Sequence, residues 1–477
     1  MATLMSPLKK VVESTLQDVT PRRLWLLVVS IWLCTIIFFF AAMVTNDQHE
    51  HAVETVGADA APSVIAAHEI KTAALTMDAD LADELLYEPG QRESQEMVDG
   101  FEMARLDICK QLVAAARNIT YGTSEELPIE NIQIALGQFQ MQAQAARDAH
   151  NSGKDGDAVS HYRAALKTLQ ASLLPNADAL DKANADVLEN TYTHEKGASA
   201  MSRGFVLVMG LVLISLLFYT HIYVSMRFRR RPNPPLLLAI ACACLFVQHL
   251  SATLAASSRD LTIAKEDAYN SVVALLDART NSYDANAAES RWLLDRAKAA
   301  EHEKCFYERV ATVAHFDQGH DFAETIATAK KQFENNEKIN LPGFSGSLAD
   351  ELSNVRFPGE REAALETLQA FGEYIGIDGK IRQLENSADH AGALKLGLGY
   401  DPFGSNFKFS KYDDALGRTL KINEDNLQNA VRHATRALDG LVVASLVVSL
   451  LIVMCTYVGL SPRLAEYETR MYAHKRH

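Results

Sequence analysis

Few side chains in this sequence combine the type and the spacing that chemistry needs. His315, Asp317, His320 and Asp321, in the run HFDQGHD, put two imidazoles and two carboxylates across one turn, a set that could ligate a metal ion. No cysteine stands near and no third histidine accompanies the pair, so a solvated turn between helices accounts for the same residues. His49-Glu50-His51 makes the same case more weakly. There is no Gly-rich phosphate loop, no Ser/His/Asp nucleophile arrangement and no zinc-protease helix. An enzymatic reading has no residue to rest on, and no catalytic residue, metal or cofactor is expected.

The most individual stretch is Asn281 to Leu294, NSYDANAAESRWLL. On a helix it sets Asp284 with Ala288, and Ala285 with Glu289 and Trp292, one turn apart, so that acidic and aromatic groups become neighbours. Tyr283, Asp284, Asn286, Glu289 and Arg291 then form either a polar contact patch for a ligand or partner, or an interhelical polar lock that fixes register inside a bundle.

Such residues need elements to position them, and the hydropathy pattern supplies these. Four apolar runs satisfy the length for crossing a bilayer: residues 22–44, 204–226, 235–257 and 439–460. A cleaved signal peptide is a poor account of the first, because the run is long and Phe38-Phe39-Phe40 sits where small residues would be wanted. Basic residues mark one side. Lys9, Lys10, Arg22 and Arg23 precede the first span, Arg227, Arg229, Arg230 and Arg231 lie between the second and third, and Arg463, Arg470, Lys475 and Arg476 follow the fourth. Lys and Arg in short loops stay cytoplasmic, so both termini are expected inside a plasma membrane crossed four times. The remaining segments, 45–203 and 258–438, are expected outside and are acidic within a chain of net charge -14, which argues against a nucleic-acid partner. The spans lack mid-membrane ionisable groups, as a packing role rather than a transport role requires; Ala239 with Ala243, and Ser445 with Ser449, give small-residue seams.

The expected fold is therefore all-α: a cytoplasmic segment 1–21, a span, an outer bundle 45–203, a second span, an Arg-rich loop 227–234, a third span, an outer bundle 258–438, a fourth span and a tail 461–477. In the first bundle helices are predicted near 45–87, 92–120, 128–150 and 157–203, the last bent or split at Pro175. In the second they are predicted near 258–297, 299–315, 320–336, 361–374, 379–396 and 409–438. The loop 340–359 and the loop 397–406, with Tyr400, Pro402 and Phe403, separate some of them. Matching layouts and matching short segments predict that the two halves arose by duplication. Asp178-Ala179-Leu180 parallels Asp414-Ala415-Leu416, NSGKDGDAV from Asn151 parallels NSADHAGAL from Asn386, and Asp78-Ala79-Asp80 parallels Asp284-Ala285-Asn286. Cys109 and Cys305, one per outer segment, are expected to be free thiols.

A long helix leaving the membrane, a helical hairpin and a long returning helix resemble chemoreceptor-type sensor domains, here with the two copies of a dimer joined in one chain. The YDANAAESRWLL stretch, the DHAGAL segment from Asp389, the DDALG helix start from Asp413 and the four-span layout further resemble a group of actinobacterial membrane sensors. Those are encoded beside an amino-acid-binding lipoprotein and a cytosolic serine/threonine kinase, protein kinase G. The resemblance implies a receptor that hears of extracellular acidic amino acids through the lipoprotein and passes the signal toward the kinase. Well over half of the chain lies in the outer segments and little is left inside, so the expected function is transmembrane signalling through a separate output partner. Arg229, Arg230 and Arg231, or Tyr467 and Tyr472 in the tail, are the candidate cytoplasmic contacts. Besides the lipid bilayer, the expected partners are a solute-binding lipoprotein and a cytosolic kinase. A non-switching scaffold of the cell envelope is the alternative.

Overall fold

Long Ala- and Leu-rich stretches with few β-branched alternations favour helix, and helix is almost the whole of the structure. The computed structural model describes residues 19–228, 233–335, 337 and 339–474, with the side chains of 199 and 467–474 outside that description. Arg229, Arg230 and Arg231 lie outside the described residues, as do the side chains of Tyr467 and Tyr472. In chain order the helices are α1 (Val19–Glu54), α2 (Ala61–Glu84), α3 (Arg92–Arg117), α4 (Thr123–Asn151), α5 (Asp155–Thr168), α6 (Leu174–Phe228) and α7 (Pro234–Thr262). The second half continues with α8 (Asn270–Leu294), α9 (Ala299–Val313), α10 (Phe322–Glu334), α11 (Ser347–Asn354), α12 (Glu360–Asn386), α13 (His390–Gly397), α14 (Ser405–Leu438) and α15 (Leu441–His474). Two-residue strands β1 (His315–Phe316) and β2 (Phe344–Ser345) pair antiparallel around α10.

The chain divides into two compact units. One gathers the residues up to Val53, Tyr192–Leu261 and those from Arg432 onward. Its four helices are each long and apolar enough to cross a membrane. Its core interleaves Phe38, Leu213, Leu217, Ala239, Ala243, Phe246 and Ile452. Gly210 lets α6 approach closely, because a Cβ there would come within 2.6 Å of Val247 on α7. The outward face is apolar too: Leu26, Leu211, Leu245 and Val443 are all more than half exposed, which only a lipid solvent makes favourable. The hydroxyls of Thr35, Thr220, Ser445 and Thr456 donate to carbonyls one turn back, which satisfies them without water.

The other unit comprises Glu54–Thr191 and Thr262–Val431. The two outer segments each keep their own core, one around Ile70, Phe101, Phe139 and Tyr162, the other around Leu275, Phe306, Phe371 and Tyr412, and together they form this one unit. Several helix limits differ from expectation. The break foreseen between 374 and 379 is absent, because Phe371, Tyr374, Ile377 and Ile381 hold α12 to the core straight through Gly376 and Gly379. The chain turns instead at Ala388, and the stretch 340–359 contains β2 and α11. Pro175 is accommodated by a wider π-turn, Leu169–Leu173, directly before it. Helix α6 passes unbroken through Gly204, but the returning helix of the second half does not pass Gly440, which at φ 75° ends α14 in a left-handed cap before α15 begins.

The halves share local devices in fixed register. Each outgoing helix widens into a π-turn, Thr55–Ala60 and Ile263–Tyr269, starting 208 positions apart. An asparagine secures each one. Asn118, closing α3, donates to the Asp59 carbonyl and the Ser63 hydroxyl; Asn354, closing α11, donates to the Asp267 carbonyl and the Ser271 hydroxyl. A buried glutamate then caps the next turn, Glu125 accepting from the amides of Thr120 and Tyr121, Glu360 from those of Arg356 and Phe357. The ends of α4 and α12 close alike: Lys154 N donates to Ala149 O and Asp389 N to Leu384 O, with Gly153 (φ 70°) and Ala388 (φ 63°) left-handed. From the asparagine onward the spacing is 235 or 236, and the added length falls in the stretch that carries β1, α10 and β2.

One device is not shared. Where the first half has Ala115 the second has Glu351, 1% exposed, whose carboxyl pKa is pushed up to about 8 by burial and then by the Glu360 charge. Between its ordinary range and about 8 the folded chain holds a proton that the unfolded chain has released, so stability falls as pH rises through that window. Thermal unfolding of the purified protein should shift downward from pH 5 to pH 8, and Glu351→Gln should flatten the shift; equal slopes in both proteins would contradict the assignment.

Candidate functional site

Helices α2 and α8 run side by side, and the polar residues they carry face each other within the second unit. Thr72 and Thr280, 208 positions apart, meet with hydroxyls at 3.5 Å. Around them Glu69-Ile70-Lys71-Thr72 and Asp277-Ala278-Arg279-Thr280 repeat one pattern, acid, any residue, base, threonine. Each base reaches the returning helix of its own half. Lys71 pairs with Asp178 at 3.1 Å and Asp181 at 2.9 Å, while Arg279 pairs with Asp413 at 2.9 Å and crosses to Glu69 at 3.0 Å. Burial opposes the charge of Lys71, but Asp181 and Asp178 more than offset it and raise its pKa. His68, without counterpart at Leu276, adds a contact to Asp181 at 3.0 Å.

Two turns further along, the lattice becomes fully buried. Arg291, 1% exposed, binds Asp78 at 2.8 Å through Nε and Asp284 at 2.6 Å through Nη2. Tyr162 donates to the other oxygen of Asp78 at 2.9 Å, and Arg309 binds Asp284 at 2.7 Å. Burial would raise the Asp284 pKa, yet Arg291 and Arg309 pull it below its ordinary value; Asp78 stays raised, burial dominating. Arg163 of α5 then grips Asp295 through two nitrogens, at 2.8 and 2.5 Å.

The five residues singled out in NSYDANAAESRWLL thus fall on one helix and are brought to this interior. Tyr283 stacks edge-on against Phe409 at 4.8 Å. Asn286 and Glu289 are buried, and the Glu289 carboxyl is raised by burial and by Asp378. This is the geometry of an interhelical lock. His315 and His320 approach Asp317 and Glu324, Asp321 caps α10 by accepting from Glu324 N at 2.9 Å, and among the described residues no group of three could hold a metal. All six cysteines are free, Cys109 and Cys305 included.

An opening of about 730 Å³ lies between the α2–α3 turn and the loop after α13, lined by Tyr87, Glu93, Glu96, Lys395, Tyr400 and Asp401. The 397–406 loop thereby forms one wall, with Phe403 76% exposed beside it. Asp83 beneath it has its carboxyl pushed up to about 6 by burial and accepts from Asn406 at 3.1 Å.

Comparison with known families bears on the first half. Residues 52–193 match the family described as Actinobacterial sensor domain. The matched limits fall within two residues of the segment Glu54–Thr191 that the fold itself delimits. No curated protein and no solved structure matches the chain. The chain is thus a sensor-type, multi-pass membrane protein, and the sensor-domain segment supplies α2 through α5 together with the start of α6. The match falls in the first half, where the sequence offers only the layout, whereas the resemblance read from motifs lies in the second.

Sequence reading passes over Asp78, Tyr162, Lys71, Asp181, Arg279 and Asp413 as site members. The signal for Lys71 and Arg279 is the acid-x-base-threonine pattern repeated 208 positions apart; their partners, with Asp78 and Tyr162, carry no such local mark. Breaking a buried ion pair from one side costs about 3–5 kcal/mol. Asp78→Ala should lower unfolding stability by about that amount in denaturant titration of the detergent-solubilised protein, and adding Arg291→Met should recover part of the loss; a change within about 0.5 kcal/mol for the single variant would remove the lattice from the account.

Proposed function

We propose that the protein is a transmembrane sensor built by internal duplication. In this reading one chain supplies both members of the paired sensor assembly, with the unit of Glu54–Thr191 and Thr262–Val431 outside the cell and both termini and the 227–234 loop in the cytoplasm. The observation that carries it is the sensor-domain match on one half, joined to a second half that repeats its π-turns, asparagine locks and caps in register. The unequal basic charge of the loops supports the orientation.

The cue we propose is an amino-acid-loaded solute-binding lipoprotein, and the output a cytosolic serine/threonine kinase. Arg229, Arg230 and Arg231, or Tyr467 and Tyr472, are its proposed contacts, and the buried cluster of Tyr283, Asp284, Asn286, Glu289 and Arg291 acts through register rather than direct contact. Partner engagement shifts the unit between two packings, and the buried ion pairs of the α2–α8 seam hold the resting one in a single register. Affinity purification of the whole chain from native membranes, with and without aspartate or glutamate in the medium, tests this. The lipoprotein and the kinase should be recovered in amounts that change with the amino acid. Recovery of neither, together with envelope defects and unchanged kinase output on deletion, would favour a scaffold.

A further inference from the structure

A second opening, about 460 Å³, lies between α5 of the first half and the start of α9 in the second. Its floor is made of Arg291, His302 and Cys305, and its rim of Arg163, Lys167, Lys298 and Glu301. The floor holds two buried polar groups whose capacity the protein leaves largely unused. Arg291 spends Nε and Nη2 on carboxylates, but its Nη1 meets only Cys305 Sγ at 4.0 Å. His302 is 4% exposed, and its Nε2 makes no hydrogen bond, standing 3.6 Å from Asp295. A buried donor without an acceptor costs free energy that an incoming acceptor would return.

We infer that this opening is a binding site for a small oxyanion, a carboxylate or phosphate, received at its floor by Arg291 Nη1 and His302 Nε2–H and at its rim by Lys167 and Lys298. Arg163, Lys167, Arg291, Lys298 and His302 line the opening against a single carboxylate, Glu301, an excess of donors that selects an anion over a cation. Lys167 has no ion-pair partner among the described residues, and Lys298 is held only by Glu301, three residues on, at 3.4 Å, so both ammonium groups are at the disposal of a ligand. The Arg291 and Arg163 charges are matched by Asp78, Asp284 and Asp295, so the rim lysines supply the charge that attracts the anion.

The larger opening corresponds in position, Glu93 matching Glu301 at 208 positions and Leu398 matching Arg163 at 235, but beside Arg92 and Lys395 its wall carries Glu88, Glu93, Glu96 and Asp401, so acidic groups outnumber basic ones there. Of the two related clefts, the anion site is therefore confined to the one beside Arg291. Lys167 and Arg163 belong to the sensor-domain half, Lys298 and His302 to the other, so a bound anion bridges the halves. That consequence rests on the sensor reading; binding itself does not.

Calorimetric titration of the full-length protein in nanodiscs with succinate and with inorganic phosphate, at ionic strength matched by sodium chloride, tests the site. At least one anion should bind saturably, and which one does so assigns the carboxylate or phosphate source. Lys167→Gln with Lys298→Gln, and separately His302→Gln, should each weaken that binding about tenfold or more, whereas Lys395→Gln in the larger opening should leave it unchanged. No saturable binding of either anion, or binding that the rim and floor variants leave intact, would overturn the inference while leaving open a sensor driven by a protein partner.

Discussion

A guanidinium that cannot lose its proton, placed where water cannot reach it, must be answered by carboxylates, and Arg291 sets that requirement for the whole unit of Glu54–Thr191 and Thr262–Val431. Asp78 answers from the opposite half and Asp284 from two turns back, and Tyr162 and Arg309 then satisfy the oxygens that remain. Because the pairing crosses between α2 and α8, sliding one helix by a single turn would strand several buried charges at once. Apolar contacts between Ala-rich helices tolerate such slips; a charged lattice does not. The register of the two halves is thus set electrostatically, while hydrophobic burial supplies each half with its own core.

That division explains how one pattern serves twice. Each half folds around its own apolar centre, with a π-turn tied by an asparagine near the start of its outgoing helix and a buried glutamate sealing the next turn. The second half departs from the pattern by a longer stretch carrying β1, α10 and β2, by Glu351 where the first has Ala115, and by an open chain after α13 where α5 runs on through a π-turn into α6. Such departures make the two sides of the seam chemically different. Arg163 stands in one cleft where Leu398 stands in the other, and a repeated frame thereby acquires two unlike openings.

Much of the architecture was legible because the strongest signals in the chain are long and one-dimensional. Four apolar runs, the basic loops and the Ala-rich helical stretches define element type and order. Helix ends proved less legible where glycine misled: Gly376 and Gly379 sit inside α12, held by buried aromatic neighbours, whereas the actual turn uses Ala388 in a conformation that alanine seldom adopts. The repeat was visible in outline but out of register, since Asp78-Ala79-Asp80 aligned with Asp284-Ala285-Asn286 is two residues from the spacing that the π-turns and Thr72–Thr280 define. The polar segment around Arg291 announced itself through composition. Its partners did not, because Asp78 and Tyr162 lie more than 100 positions away and only folding brings them near.

The seam itself can be interrogated directly. Thr72→Cys and Thr280→Cys, in a background with Cys109 and Cys305 replaced by serine, bring two thiols to positions whose hydroxyls stand 3.5 Å apart, close enough to bridge without moving either helix. Mild oxidation in membranes should yield an intramolecular disulfide in the double variant, and none when Thr76→Cys replaces Thr72→Cys one turn away. Failure of the first pair to bridge, or equal bridging by both, would contradict a seam locked in a single register.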